Sequence, residues 1–137
     1  MKRLAGKRLL DTNICIGILK GQASLIERLR SLRPADVVVC AVVRAELYYG
    51  ARKSRQVDHN LAGLGRFLAP LETLPFDDSA AEEYGLIRTD LERTGTPIGP
   101  NDMLIAAIAR AQDCVLVTRN VREFGRVHRL RLESWEE

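Results

Sequence analysis

Apolar residues along this chain follow two rhythms that alternate. One is the short unbroken run: Leu9-Leu10 after Arg8, Val37-Val38-Val39-Cys40, and Cys114-Val115-Leu116-Val117-Thr118. Runs of this length and β-branched content read as strands buried on both faces. Segment 71–76 predicts a further strand and Leu130-Arg131-Leu132 a short final one. The other rhythm is spacing by three and four. It predicts helices over 13–20, ended by Gly21, and over 23–32, where Leu25, Ile26, Leu29 and Leu32 share a stripe that Pro34 breaks. Further helices are expected over 41–52, 56–67 and 79–93, and over 101–112 with Pro100 at the first helical position. Ser79 is placed to cap the helix over 79–93, with Glu82 three residues on as in a capping box. Strands of continuous apolar character alternating with helices predict an α/β fold: a parallel sheet covered by helices on both faces. Ligands in such folds bind at the carboxyl ends of strands, which directs attention to Asp11 and to the turn Thr118-Arg119-Asn120.

A length of 137 residues with 46% hydrophobic content fits one domain, 1–137, able to bury a core. No repeat, low-complexity tract or Pro/Gly-rich linker divides it, and no apolar run approaches the ~18 residues of a membrane span. The start MKRLAGKRLLDTN is basic, but its apolar stretch stops at Asp11, so no secretion signal is read and a cytoplasmic protein is expected. Cys15, Cys40 and Cys114 are odd in number and widely spaced, which favours buried thiols over disulfides or a zinc knuckle. His59 and His128 stand alone, which argues against a histidine metal site or a Ser–His–Asp triad.

Three acids occupy unusual positions. Asp11 directly follows the first strand, where a helix cap is the simpler reading. Glu46 shares a helix face with Val42, Val43, Leu47 and Gly50, so it sits on the apolar stripe and needs a partner. An internal salt bridge to Arg44 or Arg88 would serve. Asp102 opens a helix that is apolar almost all round and points inward, although an acid in the first turn is also favoured by the helix dipole. Together the three imply a shared carboxylate site assembled by tertiary structure. Clustered carboxylates without histidine or cysteine suit the hard ions Mg²⁺ or Mn²⁺, the equipment of metal-assisted phosphodiester hydrolysis.

Four segments then carry a family likeness: LLDTN at 9–13, AELYYGA at 45–51, GPNDMLIAA at 99–107 and VTRNVREF at 117–124. In order and spacing the chain resembles the PIN domain, in particular the VapC-type ribonuclease toxins of bacterial type II toxin–antitoxin pairs. The resemblance implies a central parallel sheet of four or five strands and an acidic cluster that binds Mg²⁺ or Mn²⁺ and cuts single-stranded or looped RNA. It puts Asp11, Glu46 and Asp102 on catalytic and metal-binding positions, and Asn13 and Thr118 on polar positions that orient the acids or a bound water. A fourth acid common in the family is replaced here by Asn120, with Glu123 three residues later. The resemblance further implies a VapB-type antitoxin, a homodimer, and RNA substrates that are often tRNAs.

Net charge is only +3, but lysine is confined to Lys2, Lys7, Lys20 and Lys53, so most positive charge is arginine, a bidentate phosphate ligand. Arg119, Arg122 and Arg126, with Arg129 and Arg131, crowd the segment after the last clear strand, either as RNA contacts or as a solvated surface. Arg52, Lys53 and Arg55 form a second basic patch. Tyr48, Tyr49, Phe67 and Tyr84 could stack on bases, though packing in the core or at a partner surface is the simpler role. The helical regions 13–32 and 56–67 could form a groove for an antitoxin helix, or simply complete the core. Competing classes fare worse. A phospho-acceptor receiver wants a lysine after its last core strand, and no lysine follows Lys53. Neither GxxxxGK[ST] nor GxGxxG occurs. The remaining alternative is a catalytically idle PIN-like module that binds RNA or protein, a reading that rests on Asn120.

Overall fold

The computed structural model describes residues 6–135. Five strands, β1 (Arg8–Leu10), β2 (Val37–Cys40), β3 (Glu72–Leu74), β4 (Val115–Thr118) and β5 (Arg131–Ser134), form one sheet in the order β3-β2-β1-β4-β5, every pairing parallel. Seven helices connect them: α1 (Thr12–Leu19), α2 (Ala23–Arg30), α3 (Ala41–Arg52), α4 (Val57–Leu68), α5 (Asp78–Thr94), α6 (Pro100–Gln112) and the short α7 (Val121–Phe124). A 3₁₀ turn over Pro34–Asp36 leads into β2. Right-handed crossovers put the helices before β3 on one face of the sheet and α5 and α6 on the other.

The core follows the two rhythms of the sequence. Leu9, Leu10, Val37 to Cys40, Leu116 and Val117 are buried in the three central strands, and Ile105 to Ala109 are buried along α6. An almost uniformly apolar α6 is possible because it packs between the sheet, α5 and α3. Cys15, Cys40 and Cys114 are all buried.

Three local expectations are corrected. The cap of α5 is Asp77, whose carboxylate accepts from the Ala80 amide at 3.0 Å, so the helix starts two residues before the Ser79 cap and no Ser79–Glu82 box forms. An ionised oxygen is a stronger acceptor than a hydroxyl and also answers the positive helix end. The strand expected over 71–76 is confined to Glu72–Leu74 at the sheet edge. The segment after β4 contains α7, too short for a periodic signal.

Sheet order reverses between β1 and β4. The carboxyl ends of these neighbours flank the crevice where open parallel sheets place their ligands. Asp11 follows one strand, and Thr118 closes the other.

Candidate active site

Asp11 is only 5% exposed, and both its oxygens are occupied. As the N-cap of α1 it accepts from the Ile14 amide at 3.1 Å through Oδ1. Its Oδ2 accepts from Thr118 Oγ1 at 2.5 Å. The cap reading and the site reading of Asp11 are therefore compatible. Burial raises its carboxyl pKa above the usual aspartate value. Hydrogen bonds from Thr118 and from the Ile14 and Asn13 amides pull it back, and the charge of Glu46 adds to the rise. Thr118 is itself fully buried, and its Oγ1 accepts from the Asn120 amide at 2.9 Å. Asn13 contributes through its main-chain amide. Its side chain is exposed and makes no hydrogen bond with a described residue.

Glu46 is half-buried on α3, and the expected arginine partner is not there. Arg44 donates to Thr73 Oγ1 at 3.0 Å, and Arg88 turns to Glu92 and the Tyr84 hydroxyl on its own helix. Two neutral donors hold Glu46 instead. Thr12 Oγ1 donates to Oε1, and Asn101 Nδ2 donates to Oε2 at 2.9 Å. Neither donor stood out in the sequence, because Thr and Asn are ordinary residues at helix starts. Their signal was adjacency: Thr12 follows Asp11, and Asn101 precedes Asp102.

Asp102 lies in the first turn of α6 and is hydrogen-bonded to Glu123. Its carboxyl is pushed up to about 6, by burial first, then by the hydrogen bond and charge of Glu123, and by the charges of Asp11 and Glu46. The fourth carboxylate of the cluster is thus Glu123. Asn120 serves it as a bracket: it caps α7, donates from Nδ2 to Glu123 Oε1 at 3.1 Å and accepts the Glu123 amide at 3.4 Å. With Asn120 in place of an acid, Glu123 brings a fourth carboxylate beside Asp102.

The arginines separate into different roles. Arg119 is half-buried and donates to Gln22 at the start of α2. Arg126 donates to the Pro97 carbonyl at 2.8 Å and fastens the loop before α6. Arg131 pairs with Asp113 at 3.2 Å. Arg122 alone of the three singled out is exposed and makes no hydrogen bond or ion pair with a described residue.

Among the described residues no lysine or arginine forms an ion pair with Asp11, Glu46, Asp102 or Glu123. Nor do any three acidic, histidine or cysteine side chains close up tightly enough to enclose an ion as they stand. Asp11, Glu46, Asp102 and Glu123 sense one another through their charges and, without an ion-paired cation among the described residues, form an oxygen-only donor set. Oxygen donors of this kind suit a hard divalent cation.

Comparison with known proteins agrees with this geometry. The PIN domain family model matches residues 8–130. The tRNA(fMet)-specific endonuclease VapC of Shigella flexneri is 40% identical over 129 residues, spanning 94% of this chain and 98% of that protein. Ribonuclease VapC2 of Rickettsia felis is 41% identical over 130 residues, covering 93% and 97%. Among solved structures, DNA-bound VapBC from Salmonella typhimurium superposes with a TM-score of 0.90 at 40% identity, covering 95% of this chain and 98% of that one. VapBC2 from Rickettsia felis, bound to a DNA fragment from its promoter, gives 0.89 at 38% identity, covering 94% and 98%.

Proposed function

The chain belongs to the PIN-domain family, among the VapC ribonucleases of toxin–antitoxin systems, and on that footing we propose that it is a Mg²⁺- or Mn²⁺-dependent endoribonuclease toxin that hydrolyses looped RNA, tRNA in particular, and is restrained by a VapB-type antitoxin. The observation that carries this reading is the unbalanced acidic cluster at the β1/β4 crevice.

In this reading Asp11, Glu46 and Asp102 would hold the ion, with Glu123 completing the set. A bound divalent ion supplies Lewis acidity to the scissile phosphate and to the attacking water. Thr118 fixes the orientation of Asp11. Glu46, clamped between Thr12 and Asn101, is the residue placed to orient the water and take its proton. Water attack breaks the P–O3′ bond and leaves a 5′-phosphate and a 3′-hydroxyl.

Support for tRNA as the substrate class comes from the relatives named as tRNA(fMet)-specific. The antitoxin reading has a physical counterpart. A groove of about 480 Å³ runs between α1, α3 and α4, with Ile16, Leu19, Leu47 and Leu64 on its walls and Lys20 and Arg66 at its rim. Those helices therefore do more than complete the core: they leave an apolar trough suited to a helix with acidic flanks. A cytoplasmic setting follows from the substrate, and no helix among the described residues is long and apolar enough to cross a membrane.

The test is incubation of the purified protein with a tRNA pool, with Mg²⁺ and with EDTA, followed by mapping of the product ends. Cleavage that needs the metal and leaves 5′-phosphates is expected. A 2′,3′-cyclic phosphate would overturn the scheme, because it reports attack by the RNA's own 2′-hydroxyl.

A further inference from the structure

A second cleft, open and about 440 Å³ in volume, is lined by Val42, Ala45, Glu46 and Tyr49 of α3 and by Asn101 and Leu104 of α6. Its volume lies within the ~300–1,000 Å³ of small-ligand sites. Glu46 and Asn101 give it a polar side, Val42, Ala45 and Leu104 an aliphatic floor, and Tyr49, the next residue of α3 to line it after Glu46, an aromatic wall. Tyr49 is 64% exposed, one helical turn from Glu46, and its hydroxyl makes no hydrogen bond with a described residue. Lys53 Nζ stands 4.8 Å from the ring centroid.

Other aromatics near the helices are engaged. Tyr84 is met edge-on by Phe76 at 6.3 Å and accepts from Arg88. Phe67 packs against the core, and Tyr48 lies outside this cleft beneath Arg44 at 5.7 Å. An exposed ring on the wall of the cleft that holds Glu46, with a lysine ammonium beside it, has the form of a stacking platform. Unpaired nucleobases bind proteins by laying a flat face on such rings, and a nearby cation meets the adjoining phosphate.

We propose that Tyr49 is the base-stacking platform of a nucleotide subsite, which receives one unpaired nucleobase of the RNA next to the bond being cut while Lys53 meets its phosphate. This rests on the ribonuclease reading above and adds to it a requirement: the RNA must present an unstacked base beside the cleavage point. A base held in a duplex cannot offer its face, so selectivity for loops follows from the subsite itself.

The probe is a 5′-fluorescein single-stranded oligoribonucleotide of mixed sequence, about twelve nucleotides long, titrated with Asp102→Asn protein in Mg²⁺ so that the RNA stays whole. Tyr49→Ala in that background should weaken binding about tenfold, whereas Tyr49→Phe and the control Tyr48→Ala should leave it within about twofold. Abasic nucleotides placed one position at a time should reproduce the loss at a single position, and there Tyr49→Ala should cost nothing more. Equal binding by Tyr49→Ala overturns the subsite and leaves the nuclease reading standing. So does a loss that sedimentation traces to dissociation of protein copies, which would assign the ring to a contact between protomers. Absence of RNA binding by the Asp102→Asn parent overturns both.

Discussion

Asn101 reaches from the first turn of α6 to Glu46 on α3 and donates to its Oε2 at 2.9 Å, joining residues fifty-five positions apart. Thr12 does the same from the other side. The residue after one candidate metal ligand and the residue before another thus both orient the third acid. A carboxylate gripped at both oxygens loses rotational freedom, and that is how neighbouring shells tune metal and catalytic groups.

Removing either grip should slow cutting more than it weakens RNA binding. Thr12→Val and Asn101→Ala are each expected to lower kcat by about tenfold to a hundredfold with little change in KM. Thr12→Ser, which keeps the hydroxyl, should restore most of the rate. Steady-state kinetics on a cleavable stem-loop RNA decide the matter. An equal loss from Thr12→Ser would show that the methyl packing, not the hydrogen bond, is what matters.

Asp11→Asn and Asp102→Asn should abolish cleavage while circular dichroism and the melting transition stay cooperative. Retained cutting in either protein would reject its assignment. Glu123→Gln should weaken Mn²⁺ binding, measured by calorimetry, by about tenfold. Asn120→Ala should instead act chiefly on stability, at about 1 kcal/mol, through loss of the α7 cap.

Stability should also respond to pH. The Asp102 carboxyl stands at about 6 in the folded protein, above its ordinary value near 4. The folded state therefore binds the proton more tightly than the unfolded state. The contribution is fully present below pH ~4 and is lost as pH rises through 6. Screening at a half-buried group reduces the effect to about 1 kcal/mol. In EDTA, Asp102→Asn should accordingly melt higher than the wild type at pH 7.5 and lose that advantage near pH 4. Mg²⁺ should reverse the order at pH 7.5, since the ion binds the carboxylate form. Thermal melts across pH, with and without the ion, test both signs.

Gly17 sits where α1 meets α2. A Cβ there would come to 2.5 Å from Leu25 Cδ1, 2.6 Å from Gln22 Oε1 and 3.0 Å from Arg119 Nη2. Gly17→Ala should destabilise the protein by about 1–3 kcal/mol, through overpacking and displacement of the Arg119–Gln22 bond. A chemical-denaturation midpoint equal to that of the wild type would show that the two flexible ends yield without cost.

Much of this architecture was legible because α/β folds write their layers into hydrophobic rhythm. The three central strands and α6 have no polar face, so their burial could be read directly from composition. Asp11 was visible as an acid at the end of a buried strand, and Glu46 and Asp102 as charges on inward helix faces. What the sequence concealed depended on distance. Thr12 and Asn101 gain meaning only once α3 lies beside α1 and α6. Glu123 was obscured because the family position falls on Asn120, and the single turn of α7 that swings the acid back has no periodicity to detect. The partners of the arginines were hidden for a related reason. Charge density after β4 resembles a phosphate surface, yet Arg119 and Arg126 are spent on Gln22 and the Pro97 carbonyl.

The order β3-β2-β1-β4-β5 has a consequence for how this molecule comes into being. Its earliest strand is its middle one, and the neighbour that flanks the crevice with it arrives more than a hundred residues later. Until then Asp11 lacks Thr118, and Asp102 lacks Glu123. Even the finished β4 is fastened from beyond, by the Trp135 amide on the Thr118 carbonyl at 3.3 Å. A polypeptide that ends before β4 therefore lacks Thr118 and Glu123, and the acidic cluster is assembled only once nearly all of the sequence has been made.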